Sequence, residues 1–129
     1  IDLATLTGAC VVALGPDITG AFSNDSEMAD RLVKTGRAAG EKMWPMPLEE
    51  EYWDMIKSDV ADMKNSGGRW GGSITAALFL KEFVDPGISW AHVDIAGPAL
   101  TESGGPYKPA GGTGVMVRTM LRYLESRAK

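Results

Sequence analysis

The chain has 129 residues, a length typical of one domain, with 44% hydrophobic and 23% charged residues, as in an ordinary globular protein. Thirteen Lys and Arg against seventeen Asp and Glu give a net charge of -4, without a basic stripe, which argues against nucleic acid as a partner. No apolar run approaches the ~20 residues of a membrane-spanning helix, so no membrane partner is expected. The single cysteine, Cys10, cannot form an internal disulfide and favours a reducing, cytoplasmic location.

The first half of the chain predicts alternating strands and helices. Residues 1–6 indicate a strand that runs into a tight loop, and residues 10–14 are apolar and fit a helix or a strand equally well. Asn24, followed by Glu27, resembles a capping box and predicts a helix that ends at Gly40. A short strand is predicted over 43–47, and a helix with three glutamates at its start over 48–57.

The second half continues the alternation. Residues 59–64 form a poor strand by propensity, and "NSGGRWGG" (65–72) predicts a loop, after which Ser73 can cap a helix. A strand over 88–95 is followed by a long loop over 97–112 and a final helix that starts at Thr113 or Gly114. This order predicts one α/β domain, a layered sheet with crossover helices.

The residues that usually carry hydrolytic chemistry are sparse. No His-Glu-x-x-His metal motif or Gly-x-Ser-x-Gly nucleophile elbow is present, and Cys10 has no neighbouring base. We favour a structural role for His92, the only histidine, over a role as ligand or base, and capping of the following loop over catalysis for Asp94. For "GGRWGG" a flexible turn is favoured over an anion site, and for Arg69 a solvated side chain.

Two strand ends that are followed by small residues remain as candidates for part of a binding site. "TLTGA" follows the first strand and "DIAGPA" follows the strand over 88–95. If these strands run in the same direction, both loops present main-chain N–H and C=O groups at one edge of the sheet, where α/β proteins bind ligands. Such groups bind substrate but supply no acid, base or electrophile.

Four blocks of the chain resemble consecutive blocks of the leucyl aminopeptidase family, whose members are also called cytosol aminopeptidases. They are "IDLATLTGACVVALG", "SDVADMKNSGGRWGGSITAALFLKEFV", "WAHVDIAGPA" and "GGTGVMVRTMLRYL". The resemblance implies that residues 1–129 are the C-terminal part of the catalytic domain, a three-layer α/β/α fold with a mixed, mostly parallel sheet. Members remove N-terminal residues, often leucine, from peptides and assemble as homohexamers.

The resemblance also implies two divalent metal ions (zinc, manganese or magnesium), held by one lysine, three aspartates and one glutamate upstream of the block that matches Ile1. The family's Asn-Thr-Asp-Ala-Glu-Gly-Arg signature and its catalytic lysine are absent. We therefore expect that the chain begins just after a removed metal-ligand segment. We also expect that it holds no catalytic residue and no metal ligand, and that it has no peptidase activity alone.

What the resemblance carries over is a substrate-facing wall. Main-chain groups of the "TLTG" block bind the substrate, the Leu6 amide helps to hold a bicarbonate that acts as general base, and small residues of the second loop line the side-chain pocket. The substrate-binding residues implied are Thr5, Leu6, Thr7, Gly8, Ala96 and Ala99. Some members have methionine at the position of Ala99, so a roomier pocket is expected here. The block "NSGGRWGGSITAA" is expected near the site and the subunit contacts.

An alternative interpretation is a free-standing, non-enzymatic α/β module that binds a small ligand or mediates assembly through an exposed sheet edge. The absence of an initiator methionine and the strand at residue 1 favour the aminopeptidase.

Overall fold

The computed structural model describes residues 1–107 and 109–128 and has a four-stranded mixed sheet at its centre. The strands are β1 (Asp2–Ala4), β2 (Thr19–Ser23), β3 (Met43–Pro45) and β4 (Ala91–Asp94). Their order in the sheet is β1-β4-β2-β3, with β1 parallel to β4, β2 parallel to β3, and β2 antiparallel to β4. A two-stranded hairpin, β5 (Leu100–Thr101) and β6 (Gly111–Gly112), lies beyond β4 in the chain.

Helices cover both faces of this sheet. They are α1 (Gly8–Leu14), α2 (Ser26–Ala39), α3 (Gly72–Lys81) and α4 (Val117–Arg127), with a 3₁₀ helix over Glu50–Ile56. On one face Leu32 of α2 and Tyr123 of α4 pack with Ala21 and Val93. On the other, Cys10 of α1 lies against Gly20, and α3 packs beside α1. Because successive residues of a strand point to opposite faces, three layers result, and the α/β/α prediction is confirmed.

Two helices begin with a different N-cap residue from the one that the sequence predicts. Asp25 rather than Asn24 caps α2, and its side chain accepts a hydrogen bond from Met28 N at 3.0 Å. Asn24 instead joins the strand ends, since its side chain accepts from Trp90 N and donates to the Ile88 carbonyl. Gly71, in the left-handed region at φ 59°, precedes α3 in place of Ser73.

Two strand predictions also need correction. β2 was not predicted because its sequence, TGAFS, lacks alternation, but pairing on both sides buries it between β4 and β3. No strand forms over 59–64, where the Ser58 hydroxyl accepts hydrogen bonds from the amides of Val60 and Ala61 and makes a turn instead.

The remaining differences concern the C-terminal third and the glutamate-rich segment. The predicted loop over 97–112 contains the β5–β6 hairpin, and Lys108 of that loop lies outside the described residues. The last helix begins at Val117 rather than at Thr113 or Gly114, and the helix predicted over 48–57 is a 3₁₀ helix. In the described part of the chain, no helix is both long enough and apolar enough to cross a membrane.

Candidate functional site

The carboxyl ends of β1 and β4 lie side by side at one edge of the sheet. The two strands are parallel, Ala4 is paired with Asp94, and the amide of Ile95 donates to the Ala4 carbonyl at 2.9 Å. The loops over 5–8 and 96–99 therefore leave the sheet at the same edge, as the two strand ends predict. These loops contain all six residues predicted to bind substrate: Thr5, Leu6 and Gly8 are exposed, while Thr7, Ala96 and Ala99 are partly buried.

One buried carboxylate, Asp94, joins the two loops. Its side chain is fully buried, and Oδ1 accepts hydrogen bonds from the amides of Leu6 at 3.2 Å and Ala96 at 3.1 Å. Oδ2 accepts a hydrogen bond from the Thr7 hydroxyl at 2.7 Å. The bond to Ala96 is the loop cap that the sequence favours for Asp94. The bonds to Leu6 and Thr7 were not predicted, because they join residues 87 and 88 positions apart.

Thr7 also fixes the start of α1. Its hydroxyl donates to Asp94 and accepts a hydrogen bond from the Cys10 amide at 3.0 Å, which makes Thr7 the N-cap of the helix. The first turn of α1 is thus coupled through Thr7 to the end of β4.

Cys10 lies in the helix turn that Thr7 caps and is 1% exposed. Its thiol faces Gly20 of β2. Burial, followed by the negative charge of Asp94, raises the pKa of the Cys10 thiol to about 11. A thiol with this pKa is almost entirely protonated at neutral pH and is a poor nucleophile.

We expect Cys10 to react with Ellman's reagent at pH 8 at least about 100-fold more slowly in the native protein than in 6 M guanidinium chloride, because it is both buried and protonated. Because the pKa of Cys10 is raised to about 11, the native rate should keep rising steeply up to pH 10.5, whereas the unfolded thiol, with a pKa of about 8.5, approaches its plateau near pH 10. Stopped-flow absorbance at 412 nm between pH 7 and 10.5 measures both. Native reaction at the unfolded rate would contradict this assignment.

His92 lies beneath the same edge in a buried aromatic cluster. Its ring stacks with those of Phe22 and Trp90 and is fully buried. Nδ1 lies 2.5 Å from Oδ1 of Asp2, and the other oxygen of that carboxylate accepts a hydrogen bond from Trp90 Nε1. These contacts join β1 to β4 and agree with a structural role for His92.

The side chains that the structure describes form no cluster suited to a metal ion. Across residues 1–107 and 109–128, no three His, Cys, Asp or Glu side chains converge so that they could share an ion. Asp94, the acid nearest the candidate edge, has both oxygens occupied by N–H and O–H donors.

The glycine-rich loop over 65–72 ends beside the candidate edge. Gly72 lies so close to Ala9 of α1 that a Cβ atom on it would be 3.2 Å from the Ala9 Cβ. The guanidinium of Arg69 stacks on the neighbouring Trp70 ring at 5.3 Å, and both side chains are exposed. The loop thus brings the start of α3 against α1, next to residues 5–8.

Comparison with known proteins identifies the family. A sequence profile described as "Cytosol aminopeptidase family, catalytic domain" matches residues 1–121. The chain belongs to the cytosol aminopeptidase family. It is 60% identical over 126 residues to a probable cytosol aminopeptidase of Chlorobaculum parvum, a match that covers 98% of this chain and 25% of that protein. A probable cytosol aminopeptidase of Nitratidesulfovibrio vulgaris is 52% identical over 124 residues, which are 96% of this chain and 24% of that protein.

Two solved structures share this fold. A mutant of tomato leucine aminopeptidase superposes with a TM-score of 0.89 at 48% identity, covering 95% of this chain and 23% of that one. The bottromycin maturation enzyme BotP in complex with Mn superposes with a TM-score of 0.93 at 42% identity, covering 99% and 28%. This chain therefore spans about a quarter of the length of the cytosol aminopeptidases that it matches.

Proposed function

We propose that this chain is the C-terminal part of the catalytic domain of a metal-dependent aminopeptidase that releases N-terminal residues, leucine among them, from peptides. The observation that carries the proposal is the family match over residues 1–121, which includes both loops of the candidate edge. The metal ligands belong, in this proposal, to a segment upstream of residue 1. Two divalent ions, zinc, manganese or magnesium, would act as Lewis acids there, and the relative described in complex with Mn supports manganese.

In this proposal the chain supplies the wall against which the peptide lies. Main-chain groups of residues 5–8 bind the main chain of the substrate, and Ala96 and Ala99 line the pocket for its N-terminal side chain. Because both pocket residues are alanines, we propose that the pocket accepts side chains at least as large as that of leucine. The parallel ends of β1 and β4, which bring both loops to one edge, support this arrangement.

The Leu6 amide is proposed to help hold a bicarbonate that serves as general base. In the structure this amide donates to Asp94 Oδ1 at 3.2 Å, the long end of the range for N–H···O bonds. The proposed role requires that the hydrogen be shared between Asp94 and the anion. Assembly as a homohexamer and a cytoplasmic location are proposed on the family resemblance. The names of the relatives, cytosol aminopeptidases, support the location.

A chimaera tests the proposal. The matching quarter of the Chlorobaculum parvum relative is replaced by these 129 residues, and release of p-nitroaniline from leucine p-nitroanilide is followed with and without Mn²⁺. We expect metal-dependent activity within about tenfold of the parent enzyme, since the chain contributes only the binding wall. The 129-residue chain alone is expected to release nothing, with or without metal.

Two outcomes would contradict the proposal. Metal-dependent hydrolysis by the chain alone would show that the ligands are not upstream. A folded chimaera that binds metal but cleaves neither leucine nor larger N-terminal residues would favour the free-standing binding module.

A further inference from the structure

The two loops of the candidate edge converge on one buried carboxylate, Asp94. We propose that Asp94 is a positioning residue: its side chain fixes loops 5–8 and 96–99 relative to each other, so that their main-chain groups meet the peptide in one arrangement. The effect on catalysis rests on the proposed function, whereas the coupling of the loops rests on hydrogen bonds within this chain.

Asp94 holds the two loops together because it is buried and, among the residues that the structure describes, depends on hydrogen-bond donors rather than on an ion pair. Its exposure is 0%, and none of the ion pairs within residues 1–107 and 109–128 includes it. Burying a carboxylate is unfavourable unless hydrogen-bond donors replace the water that it loses. Here the donors are the amides of Leu6 and Ala96 and the hydroxyl of Thr7. If either loop moved away, Asp94 would lose one or more of these hydrogen bonds while it remained buried.

These bonds extend the connection between the loops beyond the end of the sheet. Main-chain pairing of β1 with β4 ends at Ala4 and Ile95, just before the residues proposed to face the peptide. Beyond that point, the structure describes no direct hydrogen bond between residues 5–8 and 96–99, and Asp94 joins the two loops by accepting hydrogen bonds from both. Through Thr7, which also caps α1, the same carboxylate sets the start of that helix.

The geometry calls for aspartate rather than its isosteric amide. Two oxygens accept three hydrogen bonds from three donors, and none of these bonds needs Asp94 to donate. Asparagine fills the same volume but replaces one acceptor with an NH₂ group. If its oxygen stays on the two amides, the Thr7 hydroxyl loses its acceptor. If the amide is flipped, the NH₂ group faces the donors of Leu6 and Ala96.

Steady-state kinetics on the full-length protein that carries this chain test the proposal. With leucine p-nitroanilide, Asp94→Asn is expected to raise KM about tenfold and to change kcat less than about threefold, because binding to the loops is weakened. Thr7→Val should raise KM in the same direction, and Thr7→Ser, which keeps the hydroxyl, should recover most of the loss. The matched control is Glu41→Gln, a buried carboxylate that accepts hydrogen bonds from Thr119 of α4, and its KM should be unchanged.

Hydrogen–deuterium exchange supplies a readout that does not depend on activity. In Asp94→Asn, peptides covering residues 2–9 and 93–100 are expected to exchange at least fivefold faster, while a peptide from α4 is unchanged. If both loops keep their wild-type exchange rates, or if kcat falls with KM unchanged as in a smaller folded fraction, the positioning role is wrong. If the wild-type protein is inactive but the loops loosen as expected, the coupling by Asp94 stands and the proposed function fails.

Discussion

Glu41→Ala is expected to lower the free energy needed to open the first turns of α4 by about 2–3 kcal/mol, since it leaves two buried donors without an acceptor. Glu41 is 6% exposed, and its Oε2 accepts hydrogen bonds from the amide of Thr119 at 2.9 Å and from its hydroxyl at 2.6 Å. The residue before the helix, Met116, makes no side-chain cap. Glu41, which lies 78 positions before Thr119 in the sequence, therefore caps α4, and its negative charge suits the positive end of the helix.

Hydrogen–deuterium exchange over residues 117–124 measures this effect. An opening free energy lower by about 2–3 kcal/mol corresponds to exchange roughly 30- to 140-fold faster. Glu125→Ala, which removes an exposed glutamate from the same helix, is the matched control and should leave the exchange within about twofold of wild type. Equal exchange in Glu41→Ala and wild type would show that Glu41 does not cap α4.

Gly97→Ala is expected to destabilise the protein by about 3 kcal/mol, because the new methyl group would overlap the main chain. A Cβ atom on Gly97 would lie 2.5 Å from the Gly15 carbonyl oxygen and 3.3 Å from the Pro16 Cα. These are main-chain atoms that no rotamer change can move, so the loop over 96–99 must shift away from the turn after α1. Because that loop belongs to the candidate edge, substrate binding should weaken as well.

Gly112→Ala is the matched control for this substitution. No atom lies within 4 Å of a Cβ atom built on Gly112, and its φ lies outside the left-handed region. Chemical denaturation followed by tryptophan fluorescence should therefore show a change of less than about 0.5 kcal/mol for Gly112→Ala. If the two alanine variants unfold at the same denaturant concentration, close packing at Gly97 does not restrict the loop.

Local sequence patterns predicted the features whose physical causes are also local. A capping pattern at its start and Gly40 after its end predicted α2, whose Met28 and Leu32 are buried in the core. The strand-and-small-residue patterns of "TLTGA" and "DIAGPA" predicted two loops at one edge of the sheet, and the parallel pairing of β1 with β4 confirms this placement. The family resemblance, carried by the same blocks, is confirmed by the match over residues 1–121.

Tertiary contacts decided what the patterns left open or misassigned. β2 lacks alternation and is a strand because strands on both sides supply its hydrogen bonds. Both Asn24 and Asp25 are residue types that can cap a helix. Asp25 caps α2 because the Asn24 side chain forms hydrogen bonds with Trp90 and Ile88 instead.

By itself the sequence determined the fold class, the family and the position of the two candidate loops, since these depend on periodicity and on short blocks of adjacent residues. Only the tertiary structure decided that Asp94 binds Leu6 and Thr7, and that Glu41 caps α4. Both carboxylates are buried, so each must find its donors among whatever groups the packed chain brings near it. Those donors lie 78 to 88 positions away, beyond the reach of any local pattern.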